Sequence, residues 1–213
     1  MATWSEWFKH ASLKGINLEE CLHFDPQQDF ERLYSSGLPV YDRFVIYGAD
    51  YHAKKDEFLS FCQKYPLLWI RIYDSISKVR KYSKFGITGK EALDYVNQID
   101  SEISPFELQV YECHENKYGG NVLTNAEGTC IELIDGPQDI VGKSLKPFYH
   151  ANIGQTGRLE FVESNAPDDI KRTAWKVLAH LKLSRSEFLP GYFEFIVSEA
   201  DNVYFLDYKT TLR

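Results

Sequence analysis

The sequence predicts an α+β fold: two small lobes, the C-terminal one built on a mainly antiparallel sheet. Three observations lead there. The N-terminal half alternates helical and strand periods, the C-terminal half is rich in short strand sequences, and the chain ends in a pair of strands joined by a short turn cluster. The boundary is expected near residue 105, with lobes of about 1–105 and 106–213 forming one unit. The 213 residues, 44% hydrophobic and 15% aromatic, are enough for a sizeable core.

The elements follow in order. Trp4, Trp7 and Phe8 predict a short anchoring helix near the N-terminus. Ser35-Ser36-Gly37-Leu38-Pro39 reads as a turn leading into a strand, Phe44 to Tyr47. A helix is expected from about Ala53 to Tyr65, with Phe58, Phe61, Cys62 and Tyr65 on one stripe and Pro66 as its stop. Leu67 to Ile72 is nearly continuous in apolar residues and predicts a strand buried on both faces. Thr88 and Glu91 form a capping box that starts the next helix. The neighbouring Gly86 to Lys90 lacks the glycine spacing and the hydroxyl of a phosphate-binding loop.

Further strands are expected at Glu107 to Cys113, Asn121 to Leu123, Cys130 to Ile134 and Leu159 to Val162, with Gly119-Gly120 as a tight turn between the first two. A helix from about Asp168 to Leu183 carries the stripe Ile170, Ala174, Val177, Leu178 and Leu181, and Asp168-Asp169 suit its positive N-terminal end.

The last two strands are Tyr192 to Val197 and Val203 to Tyr208. A four-residue loop, Glu199 to Asn202, would pair Ser198 with Val203 and bring Glu194 opposite Asp207. That register puts Phe193, Phe195, Val197, Tyr204, Leu206 and Tyr208 on a core face. Tyr192, Glu194, Ile196, Phe205, Asp207 and Lys209 then share the other face. Facing carboxylates repel. A magnesium ion with nucleotide phosphates would offset that repulsion, as would Lys209.

Charge and composition exclude several classes. A net charge of -7 argues against nucleic acid as the main partner. No run of eighteen apolar residues and no apolar signal segment is present, so no membrane span and a cytoplasmic location are expected. Cys21, Cys62, Cys113 and Cys130 form no C-x-x-C pair and are expected as reduced thiols. The six histidines form no compact metal motif. Arg71 stands alone as a charge within an apolar strand. Its planar fork suits a phosphate or a carboxylate, or an internal ion pair with an acidic residue.

Five segments stand in order along the chain: Leu13-Lys14-Gly15-Ile16-Asn17-Leu18-Glu19, Ser36-Gly37-Leu38-Pro39-Val40 before Phe44-Val45-Ile46, Trp69-Ile70-Arg71, Leu108 to Tyr111 with Gly119 to Val122, and Tyr192 to Lys209. In that shared order they resemble the ATP-grasp nucleotide-binding domain of phosphoenolpyruvate synthase and pyruvate phosphate dikinase. The resemblance implies a magnesium–ATP site in a shortened ATP-grasp-like protein. Lys14 and Arg71 would contact phosphates, Glu107 or Gln109 would lie near the adenine, and Glu194 and Asp207 would hold magnesium. Arg71 and Lys209 would carry the catalytic charge. The implied activity is ATP-dependent phosphotransfer or carboxylate activation on a small-molecule or protein acceptor, with a protein partner also expected. The family's Arg-Ser-Ser is Arg71-Ile72-Tyr73 here, and its last-strand Glu-x-Asn is Asp207-Tyr208-Lys209. With no swivelling phosphohistidine domain expected, a complete dikinase reaction is not. These departures give a second expectation, a non-catalytic binding or scaffold protein that keeps the fold.

Overall fold

The computed structural model describes residues 26–77, 80–99, 106–125, 128–136, 149–153, 158–162, 165–184 and 187–210. The expected N-terminal helix and Lys14 lie outside them. The fold is α+β, and every pairing between its strands is antiparallel. The chain divides into two compact units, one from Tyr41 to Glu115 and one that joins the chain up to Val40 with Asn116 onward. This division differs from the expected lobes of about 1–105 and 106–213 in two ways: the strand that starts at Phe106 completes the sheet of the first unit, and the chain up to Val40 groups with Asn116 onward.

In the Tyr41–Glu115 unit, the strands β1 (Arg43–Tyr47), β2 (Leu67–Asp74), β3 (Arg80–Ile87) and β4 (Phe106–Cys113) form a sheet in the order β1-β4-β2-β3. One face of β2 and β4, carrying Leu68, Ile70, Ile72, Leu108 and Val110, shares a core cluster with Phe58 and Cys62 of helix Lys55–Lys64 and Ala92 and Val96 of helix Gly89–Ile99. The other face is buried too, at Trp69, Tyr73 and Tyr111. This is the two-faced burial that the apolar run predicts. The capping box forms as expected: the Thr88 amide donates to Glu91 at 2.8 Å and the Glu91 amide to Thr88 Oγ1 at 3.3 Å. The two helices meet so closely that a Cβ on Gly89 would stand 2.2 Å from the Cys62 carbonyl oxygen. β3 escapes sequence reading because it is an edge strand with exposed polar positions such as Ser83 and Lys84, a composition that blunts sheet edges and hides strand periodicity.

In the other unit, α1 (Pro26–Ser35) precedes six strands: β5 (Asn116–Asn125), β6 (Gly128–Asp135), β7 (Tyr149–Ile153), β8 (Leu159–Phe161), β9 (Gly191–Ser198) and β10 (Val203–Lys209). They run in the order β10-β9-β5-β6-β7-β8, and helix Asp168–Leu181 lies in sequence between β8 and β9. Its stripe Ile170, Ala174, Val177, Leu178 and Leu181 shares one cluster with Leu33, Val122, Ile131, Leu133, Phe193, Phe195 and Phe205. The Tyr118 hydroxyl donates to Asp169 at 2.8 Å in that helix's first turn and holds the carboxyl below its ordinary range.

Gly119-Gly120 is not a turn. β5 runs straight through both glycines as an interior strand. A Cβ on Gly120 would lie 2.0 Å from the Glu132 carbonyl oxygen and 2.7 Å from the Phe195 ring, so glycine serves here for close approach.

Candidate functional site

The hairpin of β9 and β10 brings Glu194 opposite Asp207, as the sequence predicts, by a different route. The loop is one residue shorter than expected. Ser198 N–H donates to the Asn202 carbonyl at 2.9 Å and Asp201 N–H to the Ser198 carbonyl at 2.8 Å, closing a three-residue loop with Asp201 at φ 65°. Such loops place their last residue in the left-handed region, which aspartate tolerates. Val203 therefore pairs with Val197 and Phe205 with Phe195, one step away from the expected register. A bulge between Phe205 and Asp207 takes up Leu206 and restores the Glu194–Asp207 pair.

This corrects the assignment of faces. Phe205, expected beside the carboxylates, belongs to the core cluster with Phe193, Phe195, Val197 and Val203, while Tyr204, expected in the core, is only half-buried. The register is set by burial of the phenylalanines, and the bulge keeps Asp207 from following Phe205 inward.

Seen across the sheet, the carboxylate pair is part of a longer row. Asp207 pairs with Glu194, Glu194 with Asn121, Asn121 with Glu132, and Glu132 with His150. Five polar side chains on five adjacent strands thus share the face opposite the core. Asn121 and Glu132 were not expected in this role. Their signal was present in the alternation of β5 and β6, but it becomes readable only once the strand order is known.

Tyr192, in the next row, ties the group together. Its hydroxyl lies 3.1 Å from Glu194 Oε1 and 3.0 Å from Asn121 Oδ1. Its single proton goes best to the charged carboxylate. Burial, with Glu194, Asp207 and Glu132 nearby, pushes the phenol well above its ordinary value. Glu194, Asp207 and Glu132 thus gather carboxylates on this face, as a cation site needs. Lys209 Nζ sits 3.1 Å from Asp207 Oδ2 and 5.6 Å from the centre of the Tyr192 ring. Lys209 thus neutralises Asp207 on its own strand.

The residues suit a magnesium ion through their chemistry. Glu194, Asp207 and the amide oxygen of Asn121 are hard oxygen donors. Among the described residues no group of three or more His, Cys, Asp or Glu side chains is gathered closely enough to hold a metal by itself.

Arg71, Glu107 and Gln109 come together in the Tyr41–Glu115 unit. Arg71 pairs with Gln109 across β2 and β4. Its guanidinium carbon lies 3.6 Å from the Trp69 ring centre and 5.6 Å from that of Tyr111, a stacked arrangement that fixes the plane of the fork. Gln109 Nε2 donates to Glu107 Oε1 at 2.6 Å, and the Tyr111 hydroxyl donates to Gln109 Oε1. All of Glu107, Gln109 and Tyr111 are buried. Arg71 also donates to the Tyr73 hydroxyl on its own strand, at 3.5 Å. The expected site residues thus fall into two groups: Arg71, Glu107 and Gln109 on one unit, and Glu194, Asp207 and Lys209 on the other.

No family model matches the chain, and no curated protein matches it. Solved structures do resemble it. A macrocyclase from Microcystis aeruginosa MRC, bound with its precursor peptide, is 15% identical, with 95% of this chain and 63% of that chain covered and a TM-score of 0.44. An ATP-grasp ligase from Chryseobacterium gregarium, in complex with ADP and a leader and core peptide, is 14% identical, covers 85% and 50%, and has a TM-score of 0.44. The D-alanine-D-alanine ligase from Coxiella burnetii is 14% identical, covers 85% and 45%, and has a TM-score of 0.41. The chain spans about half the length of most of these structures.

Proposed function

We propose that the chain is an ATP-grasp-like protein that binds magnesium–ATP and uses it for phosphotransfer or carboxylate activation on a small-molecule or protein acceptor. The observation that carries this reading is the register of Glu194 against Asp207, continued by Asn121 and Glu132 on one sheet face. A row of hard oxygen donors with like charges opposed is costly unless a cation is drawn to it.

Glu194 and Asp207 hold the metal in this proposal. Bound there, magnesium supplies charge neutralisation to the nucleotide phosphates. Arg71, with its fork fixed by Trp69, binds a phosphoryl oxygen and stabilises the charge that develops during transfer. Lys14 adds a second phosphate contact. Glu107 and Gln109, joined by their hydrogen bond, present acceptors and donors to the adenine. Lys209 adds positive charge beside Asp207. The likeness to the phosphoenolpyruvate synthase and pyruvate phosphate dikinase type rests on the order of the sequence segments alone.

The Asp207–Lys209 ion pair favours a second reading. A lysine that already neutralises one ligand suits a binding or scaffold protein that has kept the fold without the chemistry. Thermal unfolding with magnesium–ATP, with ATP plus chelator, and without nucleotide separates the two. Ligand at about 100 times its dissociation constant stabilises by about 2.7 kcal/mol. That gain should disappear in Glu194→Ala and Asp207→Ala. No shift at millimolar magnesium–ATP would leave the scaffold reading standing and the enzyme reading refuted.

A further inference from the structure

Away from the carboxylate pair, β6 and β7 bring a nucleophile and a base together. Cys130 Sγ lies 3.0 Å from His150 Nε2, and both side chains are partly exposed. Their rows are adjacent: Cys130 pairs with Asn152, and Glu132 with His150. The contact therefore runs diagonally across the ladder on the face opposite the core, where Cβ atoms stand within reach of long side chains. Glu132 stands directly across from His150 on that face.

The other described cysteines are built differently. Cys62 and Cys113 are buried, and burial pushes each thiol up to about 12. They are inert at neutral pH, because the thiolate is the reacting species. Cys130 alone among the described cysteines pairs partial exposure with an imidazole at hydrogen-bond distance.

The geometry points to Cys130 as a histidine-assisted reactive thiol, a modification site for low-molecular-weight disulfides. His150 Nε2 accepts the thiol proton, and Sγ attacks one sulfur of the disulfide. A new S–S bond forms as the old one breaks. The departing thiolate takes the proton back from His150 and leaves as a free thiol. Cys130 is oxidised to a mixed disulfide, and half of the reagent is reduced. This inference stands apart from the nucleotide reading and does not depend on it.

The test uses the full chain and bis(hydroxyethyl) disulfide, a small uncharged reagent, with adducts followed over time by peptide mass spectrometry. Cys130 should be modified ahead of Cys62 and Cys113, and faster in the folded chain than in urea. His150→Asn should slow Cys130 at least about fivefold. An imidazole partner raises the thiolate fraction by more than it lowers the thiolate's nucleophilicity. An unchanged rate in a folded His150→Asn variant would overturn the proposal. Should that variant fail to fold, the comparison within the wild-type chain decides: a Cys130 rate in the folded state no higher than in urea overturns it equally.

Discussion

Asp207 stands opposite Glu194 because Leu206, one position earlier, is taken up in a bulge. Without it, the register that buries Phe205 against Phe195 would put Leu206 opposite Glu194 and turn Asp207 toward the core. Bulges occur where a strand must re-aim a side chain, and this one re-aims a carboxylate toward another carboxylate. Like charges directly opposed destabilise a sheet, and Lys209 beside Asp207 with the Tyr192 hydroxyl beside Glu194 offsets only part of that cost.

That cost gives the first prediction. Glu194→Gln removes one of the opposed charges and keeps a side chain of the same size that can still accept the Tyr192 proton. Without metal, the variant should be more stable than the wild-type chain by up to about 1 kcal/mol. With magnesium–ATP, the order of melting temperatures should reverse, because the variant has lost a ligand. Chemical denaturation in chelator, set beside thermal unfolding with magnesium–ATP, measures both. A variant less stable in chelator would show that Glu194 is held by favourable contacts, not by a site that needs a cation.

Lys209 supplies the second. Its ammonium group is 3.1 Å from Asp207 and its side chain is largely buried, so it competes with any cation for that carboxylate. Lys209→Asn replaces the competitor with a neutral oxygen donor. Magnesium affinity, read by calorimetry, should rise by about tenfold, in line with the roughly 1–2 kcal/mol that a partly buried charge contact contributes. A fall in affinity would mean instead that Lys209 helps to bind the phosphates that accompany the metal.

The hairpin also shows how far a sequence can be read. The pairing of Glu194 with Asp207 is legible from the strand lengths, yet the route to it is not. The loop is a residue shorter than expected and Leu206 is extra, and the two deviations cancel at Asp207. A bulge leaves no mark in composition, because Leu206 fits an apolar strand in either register. Thr88 and Glu91 were legible because a capping box is local. Asn121 and Glu132 were not, because their meaning depends on β5 lying between β9 and β6, strands far apart in the sequence. The same holds for Cys130 and His150, twenty residues apart and joined only by a ladder.

Gly120 was read as a turn residue and is a packing residue, which gives the third prediction. A methyl group there meets the Glu132 carbonyl oxygen at 2.0 Å and the Phe195 ring at 2.7 Å. The backbone contact cannot be relieved by a side-chain rotation. Gly120→Ala should therefore cost about 3 kcal/mol or more, in the range of severe overpacking. It should also weaken magnesium–ATP binding, because Asn121 and Glu132 belong to the strands forced apart. Gly37→Ala is the control: its Cβ would meet nothing within 4 Å, so its cost should come only from the positive φ of 75° and remain near 1 kcal/mol. Urea denaturation of the two variants side by side checks the difference.

The last prediction concerns acid. Asp42 accepts from Lys64 Nζ at 2.8 Å and from the Tyr65 hydroxyl, and these two hydrogen bonds, the lysine first, hold its carboxyl below the ordinary range. A carboxyl depressed in the folded state binds its proton more tightly when unfolded. Its contribution is therefore fully present above the unfolded value of about 3.9 and is lost as pH falls through the folded one. About half of the Asp42 side chain is exposed to solvent (48%), so screening limits the effect to about 1 kcal/mol or less. Denaturation at neutral pH should show Asp42→Asn slightly less stable than the wild-type chain. Below the folded value the two should converge, because the wild-type carboxyl is then protonated as well. A gap between the two chains that stays constant down to the most acidic point would mean that Asp42 contributes through shape and neutral hydrogen bonding, with its charge playing no part.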